Sequence, residues 1–433
     1  MRMTPLSTLV LAAAACLSGL AQAQLRLPSL PSLPALPAPG DTLAPLRRDV
    51  LPPASDLVRA RQQRVAELLR RRSEQVEADP TGEPALRGEL VLNAPAESLL
   101  AAARAEGFAV AREQTLAALE LRVVTLRAPP GWATQRALQR LRELDPQVSA
   151  DYNHLYLESG ETAPLRAAPA APAPGHAATS LKVGLIDAGV DSAHPVFHHT
   201  TVQTWGCGGK PVPSAHGTAV ASLLVGRAER FRGAAPGARL YAADVYCADP
   251  LGGSIETVAA ALAWLLGERV GVVNISLVGP ANRTLEEVVR RASARGMLLV
   301  AAVGNDGPAA PPLYPAAYAQ VVGVTAVDAN GQVLPEAGRG PHVAFAAPGS
   351  DMAAAGFAPG SYTRARGTSF AAPLVAGLLA ASLREPDAGA AGLAVAALAR
   401  SAIDRGAPGR DPVYGHGIVA RELRMDPSAL LSR

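Results

Sequence analysis

The sequence predicts an α/β chain with three layers built on a mostly parallel sheet, preceded by a small α+β domain. Three observations predict it. Beyond residue 180, apolar strand runs alternate with helical stretches, the pattern of a parallel sheet covered on both faces. Between about 85 and 157 the order is instead strand, helix, strand, strand, helix, strand. An Ala/Pro-rich run at 159–180 separates the two regions. A length of 433 residues suits two or three domains. Hydrophobic residues make up 49% and aromatics 4%, so the core is sizeable and packed from small side chains.

The first 23 residues, with Arg2, an apolar stretch around Leu6–Leu20 and Ala21-Gln22-Ala23, read as an export signal cleaved after Ala23. Cys16 offers a lesser alternative, lipid attachment, although the leucine expected three residues before such a cysteine is absent. No other apolar stretch is long and uninterrupted enough to span a bilayer. Residues 24–84 hold a Pro-Leu repeat, "LPSLPSLPALPAP", that reads as an extended spacer. A charged helix, "DLVRARQQRVAELLRRRSEQVEAD" (56–79), follows it.

In 85–158, "GELVLN" and "ALELRVVTLRA" alternate as strands, while "AESLLAAARAEG" and "WATQRALQRLREL" carry helical spacing. That order fits a ferredoxin-like sandwich. The run 159–180 reads as an exposed, easily cut linker. Within 181–433, strands are expected at "LKVGLID", "ARLYAADVY", "VGVVNISL", "MLLVAAVG", "QVVGVTAV" and "HVAFAAP". The helix "TLEEVVRRASARG" shows Thr284 and Glu287 as a capping box and Gly296 as terminator. Ligands of such sheets bind beyond the carboxyl ends of the strands.

The formal charge of +3 is small and not gathered into one block, so nothing points to nucleic acid. Once the signal is removed, Cys207 and Cys247 remain. In an exported chain they suggest a disulfide, with two buried thiols as the alternative. No Cys/His spacing resembles a zinc site.

Four polar residues sit where chemistry is done. Asp187 ends the strand "LKVGLID", where a carboxylate must be hydrogen-bonded; alone it could be a helix cap or Asx-turn. His216, in "SAHGTAVASLLVG", precedes a small apolar helix and could equally be a core or capping histidine. Asn305 follows a buried strand in the turn "GNDG". Ser369, in "GTSFAAPLVAGLLAASL", opens a core helix that carries Pro373 in its first turn. Thr368 or Ser369 could simply cap that helix. Together they supply a hydroxyl, a base, a carboxylate to orient the base, and an oxyanion donor.

These motifs, D-A-G at 187–189, H-G-T at 216–218, the Asn305 turn and G-T-S-F-A-A-P at 367–373, resemble the signatures of the subtilisin-like (subtilase) serine peptidases. The chain order Asp, His, Ser is the same, and the resemblance covers roughly 180–420. It implies a three-layer αβα catalytic domain and polypeptide substrates, with Ser369 as nucleophile, His216 as base, Asp187 as its orienting carboxylate and Asn305 as oxyanion donor. It further implies that Ser276, Leu277 and Val278 pair with the substrate backbone as an added strand. Ala302, Val303 and Gly304 would help to wall the pocket for the residue before the cut bond. Val278 replaces a residue that is usually small, which suggests a narrowed pocket entrance favouring medium apolar side chains. Ala219 stands where a second histidine is frequent. The 85–158 domain resembles the family's inhibitory propeptide, with a permanent binding domain as the competing reading. No cofactor is required by this chemistry. Structural calcium is frequent in the family, but no ligand set stands out. The alternative from another class is a catalytically silent binding or chaperone module.

Overall fold

The computed structural model describes residues 54–171, 180–210, 212–249 and 251–431. The expected export signal, Cys16 and the expected Pro-Leu spacer lie outside the described residues. Seven strands form one parallel sheet. From edge to edge they are Val343–Pro348, Val321–Val327, Leu298–Ala302, Val272–Ile275, Lys182–Asp187, Arg239–Asp244 and Val202–Trp205. Side chains alternate across it with period two. Val183 and Leu185 enter the core beneath helices Ala215–Val225 and Thr368–Ser382. Ile186 enters the opposite core, beneath helices Ile255–Gly267 and Arg283–Ala294. The three-layer architecture expected from the alternation is therefore present.

The chain leaves the Lys182–Asp187 strand toward one edge and returns to its other side with Val272–Ile275. This reversal opens a crevice at the carboxyl ends, where α/β sheets bind ligands. Asp187, Ser276 and Asn305 all lie at or just past such ends.

Helix Thr368–Ser382 is buried along most of its length. Its small residues permit that depth: a Cβ added at Gly377 would stand 2.5 Å from the Ala234 Cβ. The sequence placed the cap of the Arg283–Ala294 helix at Thr284, but Asn282 caps it. The Asn282 side chain accepts from the N–H groups of Thr284 and Leu285 at 2.9 and 3.2 Å. Asparagine is the stronger N-cap, and it shifts the start by two residues. Glu287 instead pairs with Arg290 and Arg291.

Before this domain, strands Pro84–Asn93, Ala109–Leu116, Leu121–Arg127 and Ser149–His154 form an antiparallel sheet, extended by Val76–Ala78. Helices Glu97–Ala105 and Thr134–Leu144 complete the strand–helix order. Leu90, Leu100, Leu126 and Leu141 fill the core between sheet and helices. Val91, Leu121 and Val123 point the other way, into the core containing Leu262, Leu285 and Val288. The open face of this small sheet thus packs on two helices of the larger domain. Arg112 fastens the contact by pairing with Glu89 of its own domain and Glu256 across the seam.

The run after 158 departs from the expected free linker. Glu161–Leu165 is a strand paired with Tyr362–Arg366. Pro164 is tolerated because the strand lies at the sheet edge. Among the described residues no helix is long and apolar enough to cross a membrane.

Candidate active site

Asp187 closes its strand and is 1% exposed. Its Oδ1 accepts from His216 Nδ1 at 2.9 Å and from the Ala188 N–H at 2.7 Å. His216 is held there by the start of its helix. The Ser214 side chain caps it, accepting from the N–H groups of His216 and Gly217. Gly217 is required for the approach, since a Cβ there would sit 2.2 Å from the Ala188 carbonyl oxygen. The glycine of the H-G-T motif therefore sets the distance between helix and strand end.

Ser369 is fully buried one residue into its helix. Gly367, at φ 131°, precedes that helix without a side-chain cap. Thr368, a possible cap from sequence, instead anchors the neighbouring turn. Its Oγ1 accepts from the Gly304 N–H at 3.2 Å, and its own N–H donates to Asn305 Oδ1 at 3.0 Å. Ser369 Oγ donates to the Ser276 carbonyl at 3.3 Å, while Ser276 Oγ donates to the Ser369 carbonyl at 3.1 Å. Among the described residues no hydrogen bond joins Ser369 to His216.

The crevice is filled by the chain itself. Leu157 and Glu158 pair antiparallel with Val278 and Leu277. On the opposite side the Tyr156 N–H donates to the Gly253 carbonyl at 2.8 Å. The Tyr156 ring is buried, and its hydroxyl donates to the Pro280 carbonyl at 2.6 Å. The segment then delivers Ser159, whose carbonyl accepts from His216 Nε2 at 3.3 Å and whose Oγ accepts from Asn305 Nδ2 at 2.7 Å. Gly160 lies against the helix start: a Cβ added at Gly367 would be 2.9 Å from the Gly160 Cα. The Ser159–Gly160 peptide bond therefore lies among His216, Asn305 and Gly367.

A carbonyl and a carboxylate only accept, so these two contacts favour a His216 that donates through both ring nitrogens, the imidazolium form. Burial works against that charge. The charge and hydrogen bond of Asp187, the charge of Glu158 and the Ser159 carbonyl outweigh it, raising His216 to about 9. Burial pushes the Glu158 carboxyl up, partly opposed by His216. At the adjoining turn, Arg61 pairs with Asp306 at 3.2 Å and with Glu83 at 2.5 Å. It ties the Ala54–Arg71 helix to the residue beside Asn305.

Of the predicted residues, Asp187, His216, Ser369, Asn305, Ser276, Leu277, Val278 and Gly304 gather around this segment. Ala302 and Val303 instead send their side chains into the two opposite cores. Val278 is 3% exposed and lies opposite Leu157. Sequence reasoning missed Ser159, Gly160, Gly253 and Arg61, because no local pattern says which distant strand a two-residue segment will join.

Cys207 and Cys247 form a disulfide between the ends of neighbouring strands. Asp244 holds the same corner, accepting from the N–H groups of Val212, Tyr246 and Cys247. Among the described residues two clusters bring three potential metal-binding side chains together. In Cys207–Asp244–Cys247 the sulfurs are bonded to each other, and in Glu158–Asp187–His216 the imidazole is already engaged. Neither is an all-oxygen cluster of the calcium kind.

Residues 178–417 match the profile of the Subtilase family. Subtilisin E of Bacillus subtilis (strain 168) is 31% identical over 267 residues, covering 57% of this chain and 68% of that protein. The minor extracellular protease Epr of the same organism is 32% identical over 221 residues, which is 50% of this chain but only 34% of Epr. Fervidolysin from Fervidobacterium pennivorans, a keratinolytic enzyme related to subtilisin, superposes with a TM-score of 0.64 at 20% identity. That likeness is one of fold; it covers 83% of this chain and 62% of fervidolysin. With the profile match spanning more than half of its length, the chain belongs to the subtilase family of peptidases.

Proposed function

We propose that this chain is an exported serine endopeptidase, made as a zymogen that cuts itself at the Ser159–Gly160 bond. The observation that carries the reading is the seating of the chain's own Leu157–Glu158 strand on Val278 and Leu277, with Tyr156 bonded to Gly253 before it and Ser159 beside His216 and Asn305 after it. An added strand is how a peptidase groove holds a peptide backbone. The 85–158 domain, its sheet extended by Val76–Ala78, then acts as propeptide, and residues 1–23 as export signal.

The seated bond is in a resting pose. Its carbonyl faces the protonated His216, and Asn305 is engaged by the Ser159 hydroxyl. Cutting requires three changes. His216 loses its Nε2 proton, the Ser159 carbonyl turns toward Asn305 Nδ2 and the Ser369 N–H, and Ser369 Oγ turns from the Ser276 carbonyl to His216. The Ser369 oxygen then attacks the carbonyl carbon as His216 takes the hydroxyl proton, and His216 passes that proton to the Gly160 amine as the C–N bond breaks. Water next releases Ser159 as a carboxylate. Asp187 keeps the imidazole oriented throughout.

The test compares wild type with Ser369→Ala, following chain mass and digestion of casein. The reading requires the wild type to shorten at 159–160 and digest casein while the variant does neither. Both chains being clipped alike without digesting casein would favour the binding-module alternative.

A further inference from the structure

We propose that the Tyr362–Arg366 strand is the docking edge for substrate beyond the cut bond, and that Glu161–Leu165 keeps it blocked after the first cut. Full endopeptidase activity then needs a second cut between Leu165 and Lys182. This rests on the peptidase reading above and specifies its regulation.

Glu161 to Leu165 pair antiparallel with Arg366 to Tyr362 at every position. In their three-stranded sheet, Tyr362–Arg366 lies between Met352–Ala355 and Glu161–Leu165. Loss of Glu161–Leu165 would leave Tyr362–Arg366 as an open edge, able to accept any extended backbone. That edge runs directly into Gly367, Thr368 and Ser369. It is also rigidly mounted, because Arg366 makes two hydrogen bonds to Glu336 and one to Ser350. A substrate strand would meet it already shaped.

The present occupant is well fastened. The Thr363 hydroxyl donates to the Ala163 carbonyl at 2.8 Å. The N–H groups of Ala168 and Ala170 donate to the carbonyls of Leu430 and Gly360 at 3.2 and 2.8 Å, and the Glu229 N–H donates to the Ala171 carbonyl at 3.0 Å. Leu165 and Ala167 pack on the catalytic-domain core, which Ala170 joins. Hydrolysis at 159–160 removes none of these contacts. The new amine at Gly160 begins a segment still joined to the Lys182–Asp187 strand, so its effective concentration is on the order of millimolar. The second cut is an ordinary hydrolysis: water adds across one peptide bond, giving a carboxylate and an amine.

The full chain is followed through maturation by mass spectrometry with two substrates. Tyr-Leu-Glu-Ser p-nitroanilide fills only the groove before the cut bond. An internally quenched Tyr-Leu-Glu-Ser-Gly-Glu-Thr-Ala-Pro-Leu peptide fills both sides. The form starting at Gly160 should turn over the anilide once the N-terminal domain has gone. The ratio of spanning-peptide to anilide kcat/KM should then rise at least about tenfold when the chain shortens past Leu165. A variant with residues 161–165 replaced by alternating glycine and serine should show the high ratio without the second cut. A ratio that stays constant while the Gly160 form shortens would overturn the proposal, as would full spanning activity in a chain that still begins at Gly160. An intact chain inert toward both substrates would instead sink the peptidase reading itself.

Discussion

Asn305 donates its side-chain N–H to Ser159 Oγ at 2.7 Å, although the Ser159 carbonyl lies within reach of the same crevice. The donor suited to a developing oxyanion is thus occupied by a hydroxyl, and the carbonyl is turned to His216. On the peptidase reading proposed above, the site is assembled but held off the reaction path.

Asn305→Asp keeps the acceptor for the Thr368 N–H and removes the donor. Self-cleavage should slow about a hundred- to thousandfold, the loss that removing such a donor causes in subtilisin. Quantifying the fragment beginning at Gly160 over time checks this; an unchanged rate would remove Asn305 from the oxyanion role.

The raised pKa of His216 sets a pH dependence. Its charge stabilises the closed arrangement fully below its ordinary value of 6.5, and that contribution is lost as pH rises through about 9. Self-cleavage needs the neutral ring, so its rate should climb about tenfold per pH unit toward 9 and then level. Departure of the 157–159 segment removes Glu158 and the Ser159 carbonyl from the ring. The released enzyme should therefore act on small substrates at lower pH than it cuts itself. Superimposable pH profiles for the two reactions would contradict this.

Gly160 has φ 131°, and a Cβ there would meet Phe370 Cε2 at 2.7 Å and the Arg366 carbonyl oxygen at 3.3 Å. Gly160→Ala should misplace the bond and slow the first cut by about tenfold or more, a cost of the size expected for a non-glycine residue in strained backbone. Casein digestion by a mature wild-type sample provides the reference for intact catalysis. Equal first-cut rates in both chains would show that the seat tolerates a side chain.

The disulfide joins Cys207 to Cys247 across a separation of 40 residues. A Cys207→Ala, Cys247→Ala double variant should lose about 2–4 kcal/mol of stability. It should also raise KM for peptides that use Gly253, because the loop from Asp244 to Gly253 starts at that corner. Thermal unfolding and initial-rate kinetics measure the two effects separately.

The motifs around Asp187, His216, Asn305 and Ser369 were legible because each is local, with glycines whose need is visible in the contacts they allow. The parallel sheet was legible for a related reason: its strands, buried on both faces, carry long apolar runs. Asn282 was overlooked as a cap because the capping-box spacing at Thr284 and Glu287 was a competing local signal. The strand at Glu161–Leu165 contains a proline and sits in Ala/Pro-rich sequence, so composition pointed to a linker. Its pairing partner lies about two hundred residues away, a tertiary choice that composition does not encode. Ser159 was hidden for the same reason: nothing in "YLESGE" states that it will lie between Gly253 and Val278.

Arg61 has one further consequence. It grips Glu83 in the N-terminal domain and Asp306 beside Asn305, while Asn282 of the larger domain donates to the Tyr152 carbonyl and His154 Nδ1 across the same seam. None of these links passes through the 159–160 bond. Severing the polypeptide there makes two chains but leaves one particle, so a denaturing gel and a native sizing column should disagree about the moment of maturation. On the zymogen reading, latency should outlast the covalent connection and begin to lift only when the bound fragment dissociates or is digested.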